Sequence, residues 1–161
     1  MGTERTLEIV VRLVALLLAA LATGGLMVNW IGLTRAMAQI SSAAAYTEFH
    51  QATSRTFEPY MPIVVFGAIF GGVALAAVSP GVHSKSGQLA ITGAVGYAAV
   101  IAISLSTNVP TNRAIASWSI QSPPENWKAI RAGWIRWHIL RTLVSVPALV
   151  CYLLSGLLAG G

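Results

Sequence analysis

The chain has no aspartate, a single cysteine and little charge of either sign. Of its 161 residues 9% are charged and 55% are hydrophobic, whereas a soluble domain carries about 25% charged residues. The five acids are all glutamates: Glu4, Glu8, Glu48, Glu58 and Glu125. Cys151 stands alone in an apolar run, which excludes an intrachain disulfide and a thiolate metal cluster. There is no His-Glu-x-x-His, no pair of histidines four apart and no Cys-x-x-Cys, so the common metal motifs are missing. A glycine-rich nucleotide loop after a strand is missing as well, because no strand pattern exists. Basic runs are also lacking. The net charge of +5 comes from lysines and arginines scattered beside tryptophans and at the ends of apolar segments. That distribution fits membrane interfaces and not nucleic acid.

What the chain does have is hydrocarbon. A spanning helix needs about 20 predominantly apolar residues, and four stretches qualify: residues 7–33, 59–78, 89–107 and 133–158. The first is too long for a signal-peptide core and no small-residue cleavage site follows it, so it is expected to be a retained span. Ser79-Pro80-Gly81 stops the second, and Pro147 predicts a kink in the fourth. Gly67 and Gly71 have the spacing of close helix packing. Four spans put both termini on one face and two long connections, 34–58 and 108–132, on the other. The first connection reads as an amphipathic helix. In the second, Pro110 suits a first helical turn over Thr111–Ser119, followed by a turn at Ser122-Pro123-Pro124. The expected fold is all-α: a four-transmembrane-helix bundle with short amphipathic or interfacial helices capping one face, a single integral membrane domain over residues 1–161. The expected partner is the lipid bilayer of a bacterial cytoplasmic membrane, with room for a homo-oligomer. The positive-inside rule turns the cap to the cytoplasm, provided its arginines do not serve a site.

Function is sought where polarity interrupts the hydrocarbon, because polar groups at membrane depth are costly. Two stripes run along 34–58. Glu48, Gln51, Arg55 and Glu58 form one, read as a solvated ion-pair ladder; Tyr46, His50, Thr53 and Phe57 form the other. On the fourth span Trp134, His138, Arg141 and Thr142 share a face, with Trp137 one step around it. Arg141 is eight residues past Gly133, about 12 Å at the helical rise. Snorkelling arginines and an interfacial tryptophan belt explain much of this pattern. They leave unexplained why His138 and Arg141 point the same way at that depth. Asn108 and Asn112 bracket Pro110, and Asn29 ends the first span on the same face. Asn29, His50, Asn108, Asn112, His138 and Arg141 are therefore expected at one capped mouth of the bundle.

The run Asn108-Val-Pro-Thr-Asn112, then Trp118, Pro124-x-x-Trp127 and Arg131-x-x-Trp134-x-x-x-His138-x-x-Arg141-Thr142, resembles the hallmark of small four-span proteins of the anthrone-oxygenase type. Thr111 stands where that pattern has an aliphatic residue. Characterised members are implicated in oxidising polycyclic anthrones to anthraquinones with molecular oxygen. The resemblance implies a membrane oxygenase or related oxidoreductase of secondary metabolism, acting with oxygen on a lipophilic, aromatic or phenolic substrate. In that reading His50 or His138 is a base, Arg141 stabilises an oxyanion, and Asn108 and Asn112 hold carbonyl or hydroxyl groups. Asn29, Tyr46, Trp118, Trp134 and Trp137 then form the substrate wall. Two versions stay open: no cofactor, or a single transition metal on His50 and His138. A non-enzymatic carrier, accessory subunit or lipid-binding module is the alternative.

Overall fold

The structure, a computed structural model, describes residues 2–159. Five helices account for nearly all of them: α1 (Gly2–Gln39), α2 (Ala43–Phe57), α3 (Tyr60–Val78), α4 (Lys85–Ala116) and α5 (Trp127–Leu158). All but α2 are long and apolar enough to cross a membrane. They form a closed ring in which α1 packs on α3, α3 on α4, α4 on α5 and α5 on α1. Arg12, ion-paired to Glu8, also donates to the carbonyl of Ala159 at 3.5 Å, which joins the two ends of the chain on one face.

Small residues let the backbones close up. Ala15, Ala19 and Ala22 of α1 are fully buried against α3, and a Cβ added to Gly71 would come within 3.0 Å of the Ala15 Cα. The Gly67–Gly71 spacing therefore serves packing inside the bundle. Tyr152 fills the centre; its hydroxyl donates to the Ala68 carbonyl at 2.7 Å, and Gly72 is the residue whose missing side chain makes room for it. Tyr97 donates to the Ala19 carbonyl at 3.0 Å and meets the Thr23 hydroxyl at 2.7 Å. Every such pairing removes a polar group that hydrocarbon cannot satisfy.

At the capped end the boundaries differ from expectation. The first span runs on to Gln39 and the cap helix starts only at Ala43, where the Ser42 hydroxyl accepts from the Ala45 N–H at 3.4 Å. Residues 109–116 are not a separate interfacial helix but continue α4. The fourth span begins at Trp127 and runs unbroken past Pro147. Both α1 and α4 contain one wide, π-helical turn, Asn29–Leu33 and Ser104–Asn108, in which Thr34 N–H bonds Asn29 O and Val109 N–H bonds Ser104 O. Pro110 gives the second its cause: it lacks an N–H, and its ring crowds the carbonyl four residues back.

The cap is fastened by hydrogen bonds to carbonyls at helix ends and in loops. Gln51 Nε2 donates to Ile115 O at 2.9 Å and Trp118 O at 3.1 Å. Arg131 Nη1 donates to Met37 O at 2.8 Å and Ile40 O at 2.7 Å, with its guanidinium 4.8 Å from the Trp127 ring centre. Met37, Tyr46, Ile115, Trp127 and Trp134 pack beneath as a second core. The expected ion-pair ladder on α2 does not form, since Arg12–Glu8 is the only salt bridge among the described residues.

Candidate functional site

Both wide turns lie where the helices line a cavity of about 160 Å³ beneath the cap. A π-helical turn holds one extra residue and often marks a functional site, because it re-aims the side chains around it. Here the turns contribute Asn29 and Ser104 to the cavity, while α5 contributes Trp134, His138 and Arg141. The rest of the wall is mainly apolar, including Met61, Val65, Phe66 and Leu105, with Thr53 and Phe57 from the cap. Phe66 and Leu105 are themselves exposed on the apolar flank of the bundle, and Glu58 is exposed at the capped end.

Arg141 is the cation of this cavity. Its Nη1 donates to the Ser104 hydroxyl at 2.9 Å, and its Nη2 and Nε reach His138 Nδ1 at 2.8 and 3.2 Å. A guanidinium has only donors, so Nδ1 accepts and His138 is the neutral imidazole with its proton on Nε2. That proton is donated to the Leu26 carbonyl at 3.2 Å. Neither partner of Arg141 carries a negative charge, and among the described residues no carboxylate lies within ion-pairing distance of it. Close by, the Asn29 side chain is 8% exposed and its Oδ1 has no hydrogen-bond partner. A buried amide without a partner costs stability.

A second network supports the first. Trp134 Nε1–H donates to Asn112 Oδ1 at 2.6 Å, which fixes that atom as the amide oxygen. His50 Nε2 donates to the same oxygen at 3.2 Å, and its Nδ1 accepts from the Tyr46 hydroxyl at 3.3 Å. Burial lowers the His50 pKa from its ordinary value, more than the Asn112 bond raises it, and burial raises that of Tyr46. Asn112 Nδ2 donates to Glu58 Oε1 at 3.4 Å, and Asn108 Nδ2 to the Trp134 carbonyl at 3.0 Å. The Trp134 indole stacks on His138 at 5.3 Å and meets the edge of His50 at 5.0 Å.

Of the expected site residues, Asn29, Asn112, Trp134, His138 and Arg141 line the cavity. Behind the wall, His50, Asn108 and Tyr46 hold others in place. Trp118 packs on Tyr46 in the cap, and Trp137 is 38% exposed beside Arg136 on the outer surface, so neither lines this cavity. The donor arrangement does not suit a metal shared by His50 and His138: all four ring nitrogens are already engaged, and no three His, Cys, Asp or Glu converge among the described residues. Sequence reasoning missed Glu58 and Ser104. Glu58 is the one carboxylate on the cavity wall; it stands exposed at the α2–α3 corner, just before Pro59.

No curated protein and no solved structure matches the chain. Residues 49–151 match the anthrone oxygenase family, a stretch that takes in α3, α4 and the His138–Arg141 face of α5. With more than half of its length matched and the four-span fold in place, the chain belongs to the anthrone oxygenase family.

Proposed function

We propose that the protein is a membrane oxygenase that oxidises a lipophilic, aromatic or phenolic substrate with molecular oxygen, and that it needs no metal held by His50 and His138. The observation that carries this reading is Arg141: a guanidinium without an acidic partner, on the wall of a mainly apolar cavity beside the unpartnered amide of Asn29. Such a site lacks one anionic oxygen and one further polar group. An enolate or phenolate carried on an aromatic framework supplies both.

In this reading Glu58 takes the substrate's acidic proton. Its carboxylate accepts from Asn112, which His50 and Trp134 hold in place. Arg141 receives the negative charge as it develops, and neutral His138 fixes the guanidinium without competing for its charge. Asn29 Oδ1 accepts from a second hydroxyl. The resulting carbanion-like carbon is electron-rich enough to reduce oxygen: a C–O bond forms, proton transfer gives a hydroperoxide, and loss of water leaves a carbonyl. A methylene plus O2 thus becomes a ketone plus water. The apolar wall keeps bulk water from reprotonating the anion.

The test is oxygen uptake by the protein in nanodiscs with a hydroxylated anthrone. Arg141→Ala should lower the rate about a hundredfold, the range for removing an oxyanion donor. Arg136→Ala, on the outer surface, should leave it unchanged, and chelator treatment should leave the wild type active. Equal losses in both variants would reduce Arg141 to an interfacial anchor. No uptake by the wild type would favour a non-enzymatic carrier, and loss on chelation a metal.

A further inference from the structure

A second concave surface lies on the outside of α5, at the level of the cap. It is an open groove of about 400 Å³ lined by Lys128, Arg131 and Arg136, with Ala38 of α1 across from them and Ile135 and Ile139 below. No acid lines it. Each of the three cations sits against an aromatic ring and not a carboxylate: Lys128 Nζ lies 5.7 Å from the Trp127 ring centre, Arg131 4.8 Å from the same ring, and Arg136 5.9 Å from Trp137. None has an ion-pair partner among the described residues. Along the same face, three and four residues on, α5 continues with Leu143, Val146 and Val150, all exposed on the outer surface.

We infer that this groove is a binding site for one anionic phospholipid. Its charge sits at the level where tryptophans mark the headgroup region, and its aliphatic track leads from there toward the bilayer centre. A phosphodiester headgroup supplies the missing negative charge, while an acyl chain lies along Ile135, Ile139 and Leu143. Arginine matches the planar arrangement of phosphate oxygens, and lysine adds a point charge. Arg131 also holds the Met37 carbonyl, and Met37 lines the interior cavity, so the lipid rests against the fastening of the cap. The site stands independently of the oxygenase reading.

The test is native mass spectrometry of the full chain released from nanodiscs made of equal parts phosphatidylglycerol and phosphatidylcholine. The wild type should retain one phosphatidylglycerol per protomer, and K128Q/R136Q about tenfold less. Both side chains are exposed, so thermal unfolding in detergent alone should match the wild type; if it does not, R136Q alone is read in its place. Equal retention in the variant would overturn the proposal, as would equal retention of phosphatidylcholine. So would displacement of the lipid by millimolar inorganic phosphate, which would make free phosphate the ligand, or a dimer mass lost in the variant, which would assign the groove to a second copy of this chain.

Discussion

Arg141 is held by two neutral partners, Ser104 and His138, and by no acid. Desolvating a guanidinium without a counter-charge is expensive, so the arrangement costs stability that the proposed anionic ligand would restore. His50 shows the opposite economy. Its environment favours the neutral ring, because burial lowers its pKa below the ordinary 6.5. Below that value the unfolded chain binds a proton that folded His50 resists, so its contribution to stability is present above 6.5 and declines as pH falls toward the lowered folded value. Thermal unfolding followed from pH 7 to about pH 5, starting near the ordinary histidine value, should show this decline, and His50→Gln should flatten part of it. An unchanged slope would mean that His50 is not the buried neutral group. The His138–Arg141 face was legible in sequence because both residues lie on one helix at three-residue spacing. Glu58 and Ser104 were not, since each reaches the cavity from another element and nothing in a linear pattern records which helix faces which.

At the scale of elements, the apolar runs located the spans; the spacing of Tyr46, His50, Thr53 and Phe57 grouped them on one face of α2, and the structure buries Tyr46 and His50 while Thr53 and Phe57 line the cavity. The wide turns at Asn29–Leu33 and Ser104–Asn108 left no such trace, because one extra residue in a turn changes neither composition nor hydrophobicity. Only Pro110 hinted at the second. The polar stripe on α2 misled for a different reason: the spacing of Glu48, Gln51, Arg55 and Glu58 permits ion pairs, but Gln51 bonds carbonyls of the neighbouring segment and Glu58 faces Asn112. Gln51 is then the clasp of the cap. Gln51→Ala removes bonds worth about 1 kcal/mol each, and amide hydrogen exchange across α2 should quicken roughly tenfold while α3 to α5 stay protected. Unchanged exchange would mean that Arg131 and the aromatic packing hold the cap alone.

For the whole molecule, small residues set the spacing of the bundle and a few buried hydroxyls set its register. Tyr152 touches both requirements, since it bonds the Ala68 carbonyl and occupies the space beside Gly72. Gly72→Ala should therefore destabilise the bundle by about 1–3 kcal/mol, the usual cost of overpacking, measured as a lower unfolding temperature in detergent. Gly24→Ala, where an added Cβ meets nothing, should be near neutral. The closed ring of spans with one fastened cap leaves a mainly apolar cavity, a setting in which a single unpaired guanidinium acts more strongly than in water.

In the proposed reaction this guanidinium stabilises an anionic oxygen on a lipophilic ligand. The most direct measurement is the absorption spectrum of a hydroxylated anthrone bound to the protein in nanodiscs, titrated with pH under argon so that no turnover occurs. The bound ligand should ionise at least one pH unit lower with wild-type protein than with Arg141→Gln, about 1.4 kcal/mol of preferential binding to the anion. The same ionisation midpoint with both proteins, each shown to bind the ligand, would contradict it.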